Sequence, residues 1–152
     1  PPVMHAGWFQ EDHWAVTWGG GWADVNDPAY VLGAARQAEG SGARLSFTFA
    51  GTDLLLSTVR GPEGGRLSVK IDDGPAEVYD LYAYANAPAA EQVVLAGGLP
   101  NGPHTVVITN QSGANVVDGF IVRAAAARTP AVVMLLGAAL LGVWALARRR
   151  PG

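Results

Sequence analysis

Along most of the chain apolar and polar residues alternate, the signature of a strand buried on one face. In ARLSFTFA, Leu45, Phe47 and Phe49 fall on one side while Arg44, Ser46 and Thr48 fall on the other. RLSVKID repeats the pattern with Leu67, Val69 and Ile71 inward and Arg66, Ser68 and Lys70 outward, and Asp72, Asp73, Gly74 and Pro75 then supply a turn. Further strands are predicted at 14–18, around 30–36, and at 53–59, 76–82, 91–96, 104–110 and 116–122. In the 14–18 strand Trp14 and Trp18 share a face, and one of them is expected to fill the core. GGG, GSG, GPEGG, GGLPNGP and QSGAN stand between the strands as turn and loop chemistry. About nine short strands at this spacing predict an all-β, antiparallel two-sheet sandwich with no room for long helices before the tail.

The pattern changes abruptly at Thr129. TPAVVMLLGAALLGVWALA carries no charge from there to Ala147, is apolar on every face, and is followed at once by Arg148, Arg149 and Arg150. A helix of this length measures roughly 27 to 29 Å, which matches the hydrocarbon thickness of a bilayer. Pro130 suits a first helical turn, and Trp144 sits one turn before the arginines, at interfacial depth. The triple arginine marks a cytoplasmic C-terminus, so the expectation is a single-pass cell-membrane protein with its bulk extracytoplasmic, periplasmic or extracellular. Gly137, Ala138, Gly142 and Ala145 offer small surfaces for a neighbouring helix. The segment also resembles the processed tails of exosortase-type sorting systems, but no LPxTG or Pro-Glu-Pro precedes it, and a retained anchor is expected. PPVMHAGWFQ lacks a basic n-region and an apolar h-region, so a leader removed upstream is expected as well. The predicted organisation is an N-terminal segment 1–13, a sandwich 14–123, a short linker 124–129, a transmembrane helix 130–147 and a basic tail 148–152.

Charge divides the chain at the same place. All thirteen acids lie between Glu11 and Asp118 against six bases before residue 127, net −7, whereas Arg128 and the triple arginine make the tail +4. No basic surface is available for a nucleic acid, and the lack of cysteine excludes disulfides, thiolate metal sites and a cysteine nucleophile.

GGGWADVNDPAY, GARLSFTFAGTDLLL, GGRLSVKIDDG, VYDLY, LPNGPHTVVIT and VVDGFIV follow one another in an order that resembles the bacterial galactose-binding-like jelly-roll modules of cell-surface and secreted proteins. The resemblance covers roughly residues 14 to 123 and is carried by the F-x-F-x-G, D-G turn, D-L-Y, G-x-H-T and D-x-F elements. It implies a non-catalytic, carbohydrate-binding-like module that in some members holds sugar or calcium through loops at one end. One fold hosts many roles, so function needs its own argument.

Catalytic constellations are poor. No serine sits in a G-x-S-x-G elbow, the three histidines have no spacing to serve one, and Asp72 and Asp73 are neighbours in a turn, so no enzyme is expected. Glu11, Asp12 and His13, with His5, read as a solvated segment more readily than as metal ligands. His104 is expected to cap its strand. Asp80 and Asp118 interrupt apolar strands and are expected to accept hydrogen bonds from loop backbone or an arginine, with calcium coordination as the alternative. Trp8, Trp22, Tyr82 and Tyr84 are the candidate ligand or partner contacts, because an exposed ring can stack on the C–H face of a sugar or fill an interface core. Two functional expectations follow. The first, on the short linker and the small residues of the helix, is an accessory subunit of a larger membrane complex, with other membrane subunits and lipid as partners. The alternative is a membrane-tethered carbohydrate-binding module for cell-surface glycans, with no cofactor or at most calcium.

Overall fold

The computed structural model describes residues 2–126. Their regular structure is β1 (Val3–Met4), β2 (Gly7–Gln10), β3 (Thr17–Trp18), β4 (Trp22–Asn26), a 3₁₀ turn at Val31–Gly33, β5 (Ala34–Ala38), β6 (Arg44–Gly51) and β7 (Asp53–Thr58). There follow β8 (Arg66–Ile71), β9 (Ala76–Asp80), β10 (Glu91–Ala96), β11 (Gly102–Asn110), β12 (Val116–Val117) and β13 (Gly119–Arg123). No helix among the described residues is long and apolar enough to cross a membrane. The expected anchor lies outside them, including Pro130, Gly137, Ala138, Gly142, Trp144, Ala145, Arg148, Arg149 and Arg150.

Two sheets face each other. One has the order β1-β6-β11-β8-β9, with β3 also on β6, and the other β10-β7-β13-β2, while β12-β5-β4 forms a smaller third sheet. The alternation read from sequence sets the inner face: Leu45, Phe47 and Phe49 of β6, Leu67 and Val69 of β8, and Val106 and Ile108 of β11 are buried. They meet Leu54 and Leu56 of β7, Leu95 of β10, and Phe120 and Val122 of β13 in one core. Phe47 and Phe120 pack across it with ring centroids 4.5 Å apart. Burying rings and branched aliphatics from both sheets is the main favourable term in such a sandwich.

Several expectations are corrected. The segment 1–13 belongs to the sandwich, because β1 pairs in parallel with β6 and β2 pairs with β13 opposite Gly119 to Val122. β1 and β2 are too short for a periodic signal, and β2 exists because β13 offers it a free edge. At Gly119 a Cβ would lie 2.5 Å from the Phe9 carbonyl oxygen, so this close approach of two backbones requires glycine. Residues 14–18 are not one strand: His13 accepts the Val16 amide through its carbonyl at 3.0 Å and the Ala15 amide through Nδ1 at 3.2 Å. That turn throws Trp14 outward, 77% exposed, while Trp18 packs against the core. Trp22 opens β4 in a stretch that reads as loop, since β4 gains its order from pairing with β5. The strand around 30–36 starts later, at Ala34, after the 3₁₀ turn. Residues 116–122 divide at Asp118, with β12 in the small sheet and β13 in the second large one.

Antiparallel register fixes the two ends. Glu91 opposes Thr58, Gly119 opposes Ser57 and Gln10 opposes Gly119, so the segments 11–16, 59–65 and 81–90 gather at one end with Asp118. The turns at 72–75 and 97–101 lie at the other. There His104, buried in β11, has Nδ1 2.7 Å from Asp72 Oδ2 and Nε2 2.7 Å from the Pro100 carbonyl. Both partners are acceptors, so satisfying both nitrogens requires the protonated ring. The hydrogen bond to Asp72 raises His104 above its ordinary 6.5, and the same bond holds Asp72 below 3.8. Asp72 also accepts the Thr105 amide at 2.8 Å and adopts φ 51°, a left-handed backbone that its hydrogen bonds offset.

The sign of the pH dependence follows. His104's contribution is complete below its unfolded value and is lost as pH rises through its raised folded value, whereas Asp72's is present above its unfolded value and is lost on acidification. Thermal unfolding is expected to show stability declining as pH increases above about 6.5, with the decline reduced in Asp72→Asn. An unchanged slope in the variant contradicts the pairing.

Candidate functional site

Three loops converge at the end that contains Asp118. Loop 59–65 follows β7, loop 81–90 joins β9 to β10, and loop 27–33 precedes β5. Leu81 is fully buried and pins the start of its loop, leaving the alternate residues Tyr82 and Tyr84 outward. Arg60 holds loops 59–65 and 81–90 together: Nη1 donates to the Asp80 carbonyl at 2.8 Å, and Nε lies 3.1 Å from Glu91 Oε2. The Ala87 amide donates to the Arg60 carbonyl at 2.9 Å and the Ala83 amide to that of Gly61 at 3.0 Å. Loop 27–33 is tied in through the Ala90 amide, which donates to the Ala29 carbonyl at 3.0 Å.

Beneath them Asp118 is completely buried. Its carboxylate accepts the Val31 amide, 3.0 Å to Oδ1 and 3.1 Å to Oδ2, and the Ser57 hydroxyl at 2.9 Å. Burial pushes the group above its ordinary range while both donors pull it back. Asp118 therefore takes its hydrogen bonds from the backbone of loop 27–33 and from the Ser57 side chain. The restraint it places on Val31 supports Leu32, a left-handed non-glycine residue at φ 56° that is 86% exposed at the loop tip. A backbone in that region costs about 1–3 kcal/mol and persists only where its surroundings hold it.

Of the four candidate aromatics, Tyr82 and Tyr84 share this end and are exposed, Tyr84 to 92%. Trp8 lies in β2 opposite Ile121, more than a third exposed, with Nε1 donating to Gln10 Oε1 at 3.1 Å. Trp22 is not a free platform: its ring packs edge-on against Trp18 at 5.0 Å and its Nε1 donates to the Arg44 carbonyl at 3.2 Å. Asp80 does not join Asp118. It is exposed at the end of β9 and accepts the Tyr82 amide at 2.9 Å in its own turn. No group of three or more His, Asp or Glu converges among the described residues. Sequence reasoning missed Arg60, Glu91 and Leu32 because their roles come from loops brought together by strand register. Trp14 was missed as an exposed ring of the same end because the alternation assigned it to a strand.

No family model matches the chain. Over 113 residues it is 32% identical to the A type blood alpha-D-galactosamine galactosaminidase of Flavonifractor plautii, a match covering 73% of this chain and 10% of that protein. The chain therefore spans about a tenth of the length of the curated relative it matches. Among solved structures, a family 35 carbohydrate binding module from Clostridium thermocellum superposes with TM-score 0.60 at 20% identity, covering 78% of this chain and 98% of the module. A family 6 carbohydrate-binding module gives TM-score 0.59 at 13% identity, covering 82% of this chain and all of that one. An exo-beta-1,3-galactanase from Phanerochaete chrysosporium gives 0.59 at 14% identity over 77% of this chain and 29% of the enzyme. These likenesses show the fold: an all-β sandwich like that of carbohydrate-binding modules.

Removing the anchor beneath the loops tests the arrangement. Asp118→Ala is expected to cost about 2 kcal/mol, because two buried donors lose a charged acceptor, and to accelerate hydrogen exchange at the Val31 amide. Asp80→Ala, at an exposed turn, is expected to stay within about 0.5 kcal/mol of the parent. Equal effects of the two substitutions in chemical denaturation contradict the assignment.

Proposed function

We propose that this chain is a non-catalytic glycan-binding module whose sugar site is the loop end formed by residues 27–33, 59–65 and 81–90. The observation that carries the reading is the exposure of Tyr82 and Tyr84 on loop 81–90, which also carries Asn86 and is tied to loop 59–65 by Arg60 through Asp80 and Glu91, at one end of a sandwich with the fold of carbohydrate-binding modules. A tyrosine ring offers an apolar face for the C–H side of a pyranose, and neighbouring amide, guanidinium and carboxylate groups can orient its hydroxyls. The likeness to the Flavonifractor galactosaminidase and to the galactanase supports galactose or galactosamine units as the first ligands to try.

The apolar tail supports tethering of the module at a cell membrane, with the sandwich extracytoplasmic and the triple arginine cytoplasmic. The accessory-subunit reading draws on that same tail and gains no support from the sandwich. Calcium belongs to the proposal only as an additive in the binding buffer, tested by repeating the assay with chelator.

The full chain in detergent is expected to bind galactose-containing polysaccharide in affinity electrophoresis. Tyr84→Ala is expected to weaken binding about tenfold, the factor corresponding to ~1.4 kcal/mol, with Tyr82→Ala in the same direction and the melting temperature unchanged. Undiminished binding by both variants contradicts the site.

A further inference from the structure

The end of the sandwich that carries the three loops is not the end at which the chain leaves it. β13 is antiparallel to β7, with Gly119 opposite Ser57 and Arg123 opposite Asp53, so it runs from the loop end toward the turns at 72–75 and 97–101. The exit is held there. The Thr52 amide, in the turn between β6 and β7, donates to the Arg123 carbonyl at 2.7 Å, and the Leu99 amide donates to the Thr52 carbonyl at 2.9 Å. At Gly51 a Cβ would collide with the same Arg123 carbonyl oxygen, so the turn closes on the departing strand only because that residue is glycine.

Five residues, 124–128, separate Arg123 from Thr129, where the uncharged apolar run begins. At no more than about 3.6 Å each, they span roughly 18 Å. Asp118 lies five positions back from Arg123, and at about 3.4 Å per strand residue that is roughly 17 Å. Tyr82 and Tyr84 stand beyond it, on the loop that precedes Glu91. Only a linker at its limit, laid back along β13, would bring a bilayer to the loops, and the loss of backbone freedom opposes that arrangement. Charge opposes it too. Asp12, Asp27, Glu63 and Glu91 are exposed around the loop end with Arg60 as its arginine, a surface that anionic headgroups repel. At the exit end Asp53, Asp72 and Asp73 are partly offset by Arg123 and by His104, whose two acceptor partners call for a protonated ring.

We propose that the module stands on its 72–75 and 97–101 turns over the membrane that holds its tail, with the sugar site facing away, and that its ligand is a polysaccharide standing off from that membrane and not the sugar headgroup of a lipid within it. This orientation rests on the proposed tether, and the choice of ligand rests on the proposed site at Tyr82 and Tyr84.

The chain contains no cysteine, so Ala85→Cys at the loop end and Asn101→Cys at the exit end each supply one labelling position, both exposed. The full chain with a donor fluorophore at either position is reconstituted into phosphatidylcholine vesicles whose headgroups carry an acceptor. The two labels stand roughly 25 Å apart along the strands, and energy transfer is expected to be about twofold stronger from position 101. Unlabelled protein in such vesicles is expected to bind soluble galactan equally well when galactosylceramide is included, although a reachable headgroup in the same bilayer would have an effective concentration of about millimolar and displace the polymer. Equal transfer, or stronger transfer from position 85, in vesicles that carry the protein overturns the orientation. Displacement of galactan by galactosylceramide overturns the choice of ligand. Failure of the chain to float with the vesicles overturns the tether and the orientation with it, whereas absence of galactan binding with the transfer difference intact overturns the sugar site and leaves the orientation standing.

Discussion

A single buried carboxylate organises the end of the sandwich where the candidate site lies. Asp118 stands where the chain leaves the small sheet and enters the second large one, and its oxygens hold the Val31 amide from one direction and the Ser57 hydroxyl from another. Its own amide donates to the Ser57 carbonyl at 2.9 Å, which fixes the crossing point against β7. A buried charge without these donors would be strongly unfavourable, so the loop, the strand and the crossing are specified together. Leu32's left-handed backbone, and through the Ala29 carbonyl the position of loop 81–90, depend on that knot.

The sandwich uses its two ends differently. At the loop end the polar contacts are made mainly by backbone and by Arg60, leaving aromatic faces free. At the other end His104, Asp72 and Thr105 form a closed set in which each polar group has a partner. Closed polar sets rigidify, whereas loops tied at a few points can adapt to a ligand. This division agrees with a module that holds a glycan at one end and keeps its core ordered from the other.

The inner face was legible because burial on one side imposes a period of two, and Leu45, Phe47, Phe49, Leu67 and Val69 follow it without exception. β7 hides the signal because Leu54 to Thr58 are buried on both faces, yet its apolar run still reads as a strand. β2 and β4 were illegible for a different reason, since each is ordered by an edge that another part of the chain supplies. At the site, Tyr82, Tyr84 and Asp118 could be chosen from residue type and position. Trp22 could not be excluded, because its indole is occupied by Arg44, twenty-two residues away in sequence, and Arg60 could not be found, because its partners are Asp80 and Glu91.

The most direct test of the central claim is a crystal structure of the protein with a short galactose-containing oligosaccharide. The account predicts a pyranose ring stacked on Tyr84 or Tyr82, with hydroxyl contacts to loops 27–33, 59–65 or 81–90. An oligosaccharide bound elsewhere, with Tyr82 and Tyr84 left in solvent, would contradict it.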